Sequence, residues 1–516
     1  MLTSEFSLPA QTPLSGEMPR PDGRYRNHYP TLDFSSPTHP KTLDHLTLSS
    51  QQIDSLYFKK YHPPVPLLDP TIPPNNYYDR SPLLFWTVVY ISSRQYAEEP
   101  GLLGMLTSPL KQLLWGTISN PPHTWYLVQS MLLFCMWPFP TSSLWNDTTP
   151  MLVNLAQTIA MQLGLHQPEA IQDFSRTKQK LTAREISEVV KTWSICYIAS
   201  QSMTTIYGLA LPSSDWMIDR ICDQDSTYMV PENMKHQLLI YRFSARRGHW
   251  KEKSQASLRL PQHTAVLTSN LREADNDVLL NGTGLQLYVF YLLDSGGSTS
   301  RKIALLRAFD IAKTLIANLR QLDTTSNFMK HCPASYFRVT SLVALFILKL
   351  QDSNYAELLD VESGKRAFNA ALFLLRQASL EDSDLPGRTS NILAQLWSRQ
   401  GHSKQSGEEP RLRLRTRLSA SLLHDQLWSW RESFGGQVSA SHTPPADNIG
   451  PQSMTTLPDG GLIVPTPEEG HVDRLTFEEV FDTEMLSLLP FDLEADASLN
   501  PLTSFTEGVP SPSKVL

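Results

Sequence analysis

From Ser81 onward the chain is dense in apolar residues that return every three or four positions, the spacing of one helix face. Leu84, Val88 and Ile91 form one such stripe, and Leu102, Leu106, Leu110, Leu113 and Leu114 form another. Val128, Leu132, Leu133 and Met136 continue the pattern until Trp137-Pro138-Phe139-Pro140, where prolines end the helix because they cannot donate to its ladder. Residues 150–165 place Leu152, Leu155, Ile159 and Leu163 together, with Gly164 and Pro168 as stop signals. Residues 183–206 place Val189, Trp193, Cys196, Tyr197, Ser200 and Met203 on a face, and Gly208 and Pro212 terminate it. Leu305, Ala308, Ala312, Leu315 and Leu319 make a further amphipathic helix, and residues 341–350 are apolar on every side, which predicts full burial. Residues 364–380 and 389–399 read as helices split by Asp384-Leu385-Pro386-Gly387, and 411–434 as a last helix. No strand-like alternation stands out, so the expected class is all-α: one large multi-helix body.

The flanks follow other rules. Residues 1–47 hold seven prolines in the first forty positions and few aliphatic side chains, so they are expected to be a disordered N-terminal segment. Ile53, Leu56, Tyr57 and Tyr61 start the helical body, and His62-Pro63-Pro64-Val65-Pro66-Leu67-Leu68-Asp69 makes a rigid turn. The body is taken as 48–434, followed by a Pro/Gly/Ser-rich linker, 435–472, with six prolines. Residues 473–496 carry eight acidic residues against Arg474 alone, and that difference of -7 equals the net charge of all 516 residues. Among the acids, Phe477, Val480, Phe481, Met485 and Leu488 share a helical face, with Leu489 beside them. Repulsion keeps such a segment soluble and its apolar side chains presentable to a partner's groove. It is expected to be an activation segment that recruits a transcriptional coactivator, and 497–516 a disordered tail.

Charge and cysteines narrow the classes. A pI of about 6.1 is not the footprint of a self-sufficient nucleic-acid binder. Cys135, Cys196, Cys222 and Cys332 lie 61, 26 and 110 residues apart. No pair has zinc-knuckle spacing, and a reducing compartment with buried thiols is expected. The first residues, MLTSEFSLPAQ, lack a basic and then apolar leader, and the apolar runs are short or interrupted, so neither secretion nor a membrane partner is expected.

No catalytic constellation is apparent. There is no Gly-x-Ser-x-Gly elbow, and residues 295–302 lack phosphate-loop spacing and a leading strand, which leaves a turn between helices. The 14 histidines form no HExxH pair, and His166, at a helix end, reads as a cationic cap on the dipole. Arg246, Arg247, Lys251 and Lys253 are candidate import-signal basics, and Arg411, Arg413, Arg415 and Arg417 a second cluster. Either could be an import signal or touch phosphate, and solvated helix faces are the plainer reading of both. Alternate arginines line no single helix face, so the second is not a neat phosphate stripe. No enzyme activity, catalytic residue, cofactor-binding residue or metal ligand is assigned.

Taken together, the 62–69 turn, Ser81-Pro82-Leu83-Leu84-Phe85-Trp86, the run from Ala156 to Leu163-Gly164-Leu165-His166, Trp193 about 27 residues later, and Gly208 ahead of Pro212 resemble the middle homology region of fungal zinc-binuclear-cluster (Zn2Cys6) transcription factors. The resemblance covers about three quarters of the chain. Within the family, Pro122-His123, residues 137–143, 172–176 and 391–397 look like the activators of secreted proteases, with the leucine-pathway regulators as neighbours. It implies a nuclear transcriptional regulator, an activator of RNA polymerase II genes, with zinc as the family's cofactor in an N-terminal six-cysteine cluster. No cysteine precedes Cys135, so no ligand for that zinc and no DNA contact is assigned to any residue here. Promoter DNA is expected as a partner only where the full-length protein or a partner supplies the cluster; homodimerisation stays open. The alternatives are a non-DNA-binding cofactor or inhibitor of a related factor, or a regulator of amino-acid or secondary metabolism genes.

Overall fold

The computed structural model describes residues 56–72, 74–96, 99, 101–178, 180–208, 215–223, 228–248, 274–293, 298–381, 383–400 and 409–434. No strand forms among them, and the all-α expectation holds.

A π-helical turn, Tyr57–Tyr61, leads into the proline turn. Helices α1 (Pro74–Arg80), α2 (Pro82–Ser93), α3 (Leu102–Ser119), α4 (Trp125–Met136), α5 (Thr149–Gln162) and α6 (Ala183–Ser202) follow, with a 3₁₀ segment, Pro168–Phe174, before α6. Next come α7 (Trp216–Cys222) and α8 (Glu232–Gly248), then α9 (Ala274–Val289), α10 (Thr299–Ser326), α11 (Ala334–Gln351), α12 (Val361–Ala378), α13 (Leu385–Gln400) and α14 (Ser421–Phe434).

Local chemistry sets most helix starts and stops. The Ser81 hydroxyl accepts from Leu84 N–H, and Pro82 needs no partner at the first helical position. Thr182 and Glu185 form a reciprocal capping box at the start of α6. At the end of α5, Gly164 is left-handed at φ +75, and Leu165 N–H returns to the Ala160 carbonyl at 2.9 Å. Asp384 accepts from Gly387 N–H at 3.0 Å, so α13 begins at Leu385, earlier than the Asp-Leu-Pro-Gly break suggests, with Pro386 in its first turn.

One contiguous apolar core runs from Tyr57 to Tyr241, with Phe134 and Trp137 fully buried in it. At about 1.5–3 kcal/mol for each large side chain removed from water, such burial dominates the stability. The proline turn is pinned to this core from outside. Gln237 donates to the Pro64 carbonyl at 2.8 Å, and Asn233 donates to that of Pro63 at 3.1 Å.

Helix α11 is the hub, packing against α4, α9, α10, α12, α13 and α14. Its length and apolar composition would suffice to cross a membrane, yet Leu342, Val343, Ala344, Leu345, Phe346, Ile347 and Leu348 are all buried by neighbouring helices. Helix α6 is likewise buried nearly all round, since Val190, Ser194, Ile195 and Ile198 are covered as well as the face read from the periodicity. The amphipathic reading of α6 is therefore corrected: α4, α5 and α8 enclose it from several sides.

The single turn Phe328–His331 sits where Trp137 donates its indole N–H to the His331 carbonyl at 2.9 Å. Tyr61 meets the His331 ring edge-on at 5.1 Å. Burial, then Lys60 and Lys330, lowers the His331 pKa from 6.5 to about 4. Above pH 6.5 the imidazole is neutral folded or unfolded. Between 6.5 and about 4 only the unfolded chain takes the proton, so stability is lost as pH falls through that window. A His331→Phe variant is expected to flatten the urea midpoint between pH 6.5 and 4.5 relative to the parent; an unchanged slope would assign the loss to other groups.

Candidate functional site

The most constructed surface feature is the strap of residues 409–417, Glu-Pro-Arg-Leu-Arg-Leu-Arg-Thr-Arg. Sequence periodicity places it inside a helix spanning 411–434, and the structure corrects this: the strap is not helical, and α14 begins at Ser421 after a 3₁₀ turn, Leu418–Ala420. Pro410 and Leu412 are buried, and Arg411 and Arg413 are exposed. Alternation of this kind suits an uncoiled chain lying on an apolar surface; wound into a helix it would spread arginines and leucines over every face.

Two buried charges hold the strap down. Arg301, 1% exposed near the start of α10, donates to the Pro410 carbonyl at 2.7 Å and the Tyr291 carbonyl at 2.8 Å, and reaches Glu409 at 3.4 Å. Asp425 of α14, 4% exposed, accepts from the Arg413 backbone N–H at 2.7 Å and pairs with Lys349 at 3.0 Å. Leu412 N–H bonds the Leu292 carbonyl at 3.2 Å. At the far end Arg417 N–H reaches the Ser421 hydroxyl at 3.1 Å, and the Arg417 carbonyl lies against Gly208. The backbone is thereby fixed while the arginine side chains stay outside.

Around the strap lies one cationic face. Arg413 pairs with Glu432 at 2.8 Å, and Arg411 with Glu409 at 3.0 Å. Glu432 also accepts from the indole of half-exposed Trp428 at 2.8 Å and feels Arg399. Arg417 approaches His424 at 3.4 Å, and Arg431 acts on the same imidazole. Burial and these two arginines lower the His424 pKa, so it adds no charge.

Among the described residues the other chemistry-bearing groups do not assemble into a reaction centre. His166 is not a cationic cap: burial lowers its pKa, and its ring packs between Phe174 at 5.2 Å and Trp193 at 5.7 Å. Trp193 donates to Asp215 at 3.0 Å, and Asp215 spends its other oxygen on the N-terminus of α7. Cys135 and Cys196 are buried free thiols raised by desolvation, hence poor nucleophiles. A cavity of about 40 Å³ between Arg94, Cys332 and Leu385 has room only for water. Among the described residues no cluster of His, Cys, Asp or Glu could hold a metal ion.

Of the residues singled out from sequence, Arg246 and Arg247 lie on the last turn of α8. Lys251, Lys253 and the activation-segment residues Phe477, Val480, Phe481, Met485, Leu488 and Leu489 lie outside the described residues. Sequence reasoning missed Arg301 and Asp425. The available signal was Arg-Leu-Arg-Leu-Arg-Thr-Arg-Leu at 411–418, a period of two in an otherwise helical chain.

No family model matches this chain, and no solved structure matches it. It is 25% identical over 422 residues to the regulatory protein LEU3 of Saccharomyces cerevisiae, an alignment covering 70% of this chain and 47% of that protein. It is 24% identical over 482 residues to the putative transcription factor SEF1 of Eremothecium gossypii, covering 85% and 45%. With the transcriptional regulatory protein SEF1 of Candida albicans it shares 30% over 146 residues, covering 28% and 16%. The chain thus spans less than half the length of each of these relatives. Over most of its length it is similar to fungal transcription regulators.

Proposed function

We propose that this chain is the regulatory and activating part of a nuclear transcription activator, without catalytic activity of its own. The observation that carries the reading is the alignment of 85% of the chain with a putative transcription factor. The composition of 473–496 supports the activating half: eight acids surround Phe477, Val480, Phe481, Met485, Leu488 and Leu489. In this reading that segment folds onto a coactivator groove, and the helical body tunes its access. Promoter contact comes from a zinc cluster in the full-length protein or a partner, and the resemblance to the activators of secreted proteases makes genes of that class the targets to test first.

The test joins residues 435–516 to a foreign DNA-binding domain upstream of a reporter. Activation well above the domain alone is expected, with a loss of at least about tenfold when Phe477, Phe481 and Leu488 become alanine, because aromatic and aliphatic anchors carry most of the binding energy in such grooves. A silent fusion, or one indifferent to the three substitutions, removes the activating role.

A further inference from the structure

Arg411, Arg413, Arg415, Arg417 and Arg431 are exposed, and half-buried Arg399 stands behind them. Two carboxylates, Glu409 and Glu432, pair with these arginines, Glu409 is shared with buried Arg301, and Asp352 lies within the field of Arg399. The excess is three positive charges on one face. Residues 473–496 account for the whole net charge of -7, so the remainder of the chain is neutral and this face is a local concentration, not part of a general basic character. Arg415 and Arg417 have no carboxylate partner among the described residues.

We propose that the arginine strap is a contact surface for the phosphate backbone of duplex DNA. Three features favour a polyphosphate. The cations are arginines, whose planar forks grip phosphate oxygens in pairs and are weakly hydrated. Arg411, Arg413, Arg415 and Arg417 are all exposed on one non-helical segment of seven residues, so their guanidiniums concentrate charge along a short stretch of chain. Their backbone is already fixed by Arg301, Asp425 and Ser421, so binding orders side chains only and loses little entropy. The contact is sequence-independent: it neutralises phosphates, releases counterions and leaves base reading to another element. The surface pairs to Glu409 and Glu432 are no obstacle, since exposed ion pairs are weak and screened by salt. The choice of duplex DNA rests on the regulator reading above; the cationic face does not.

The experiment uses the purified full chain and a fluorescent duplex of arbitrary sequence at salt from about 50 to 200 mM, a range over which phosphate contacts weaken steeply. Binding is expected at the low end. The triple variant Arg413→Gln, Arg415→Gln, Arg417→Gln should bind at least about tenfold more weakly, with the slope of log affinity against log salt shallower by about two to three. A control triple of equal charge change on α10 and α12, Arg320→Gln, Lys365→Gln, Arg366→Gln, should bind like the parent. Circular dichroism and urea midpoints confirm that both triples fold. Absence of binding at low salt, a strap triple equal to the parent, or a control triple equally weakened overturns the proposal. So does arginine-dependent binding of a synthetic 473–496 peptide tighter than that of the duplex, which assigns the face to an acidic protein segment. The reporter fusion above contains no strap residue, so it can fail while DNA binding succeeds, and the reverse.

Discussion

Alanine at Gly208 is expected to lower stability by about 3–5 kcal/mol, the range of steric changes that the structure cannot absorb. Gly208 closes the short helix Thr204–Tyr207 with φ +61, where any side chain is already strained by about 1 kcal/mol. An added Cβ would stand 2.1 Å from the Arg417 carbonyl oxygen and 2.6 Å from its carbon. Those atoms are backbone, and the backbone cannot retreat: Ser421 N–H bonds the same carbonyl at 3.1 Å, and Leu418 is itself left-handed at φ 48. Gly164 supplies the control. Its φ is +75 and its Cβ would meet Phe174 Cδ2 at 2.5 Å, a closer approach than packing allows. Phe174, however, is a side chain 40% exposed at the end of a 3₁₀ segment, free to swing outward. Gly164→Ala is therefore expected to lose only about 1–2 kcal/mol. Urea or thermal unfolding of the two variants decides the matter; a Gly208 variant as mild as the Gly164 variant would mean that the strap gives way and is not clamped.

Arg301→Met is expected to be of similar size, about 3–5 kcal/mol, for an electrostatic reason. Arg301 is almost wholly buried, and its guanidinium spreads hydrogen bonds over the Tyr291 and Pro410 carbonyls and a weaker contact to Glu409. Methionine fills much of the volume but leaves two inward-facing carbonyls without their donor, while Glu409 keeps Arg411. Each orphaned acceptor costs about 1–3 kcal/mol. Arg301→Lys should recover less than half of the loss, because a point charge on a single stem cannot reach acceptors on both sides as the fork does. Faster cleavage by trypsin at Arg411 and Arg413 is the local readout, since release of Pro410 frees the segment that presents them. A methionine variant with the parent's unfolding midpoint and trypsin resistance would show that Asp425 and Leu292 hold the strap unaided.

Much of the helical body is legible in the sequence alone. Ser81-Pro82, Thr182 with Glu185, and Leu163-Gly164-Leu165 are start and stop signals whose hydrogen bonds close within five residues. The apolar run at 341–350 announced its burial by having no polar face. The strap was misread because Leu414, Leu418 and Leu422 satisfy a four-residue spacing as well as Leu412 and Leu414 satisfy a two-residue one. With Leu414 common to both spacings, the choice falls to partners elsewhere, Arg301 and Asp425 among them. His166 was misread for a related reason: its position at a helix end suggested a charge, while Phe174 and Trp193 made its surroundings apolar.

The amino-acid sequence by itself determined that this protein is an assembly of helices, where most of them begin and end, and that one acidic, aromatic-bearing segment accounts for its net charge. Those properties depend on neighbours a few residues apart. Only the tertiary structure decided that four alternate arginines sit on a fixed strap, which left-handed glycine faces backbone, and which arginine is interior. Gly208 meets Arg417 across 209 positions of chain and Arg301 meets Pro410 across 109, and no local periodicity encodes a contact at such separation.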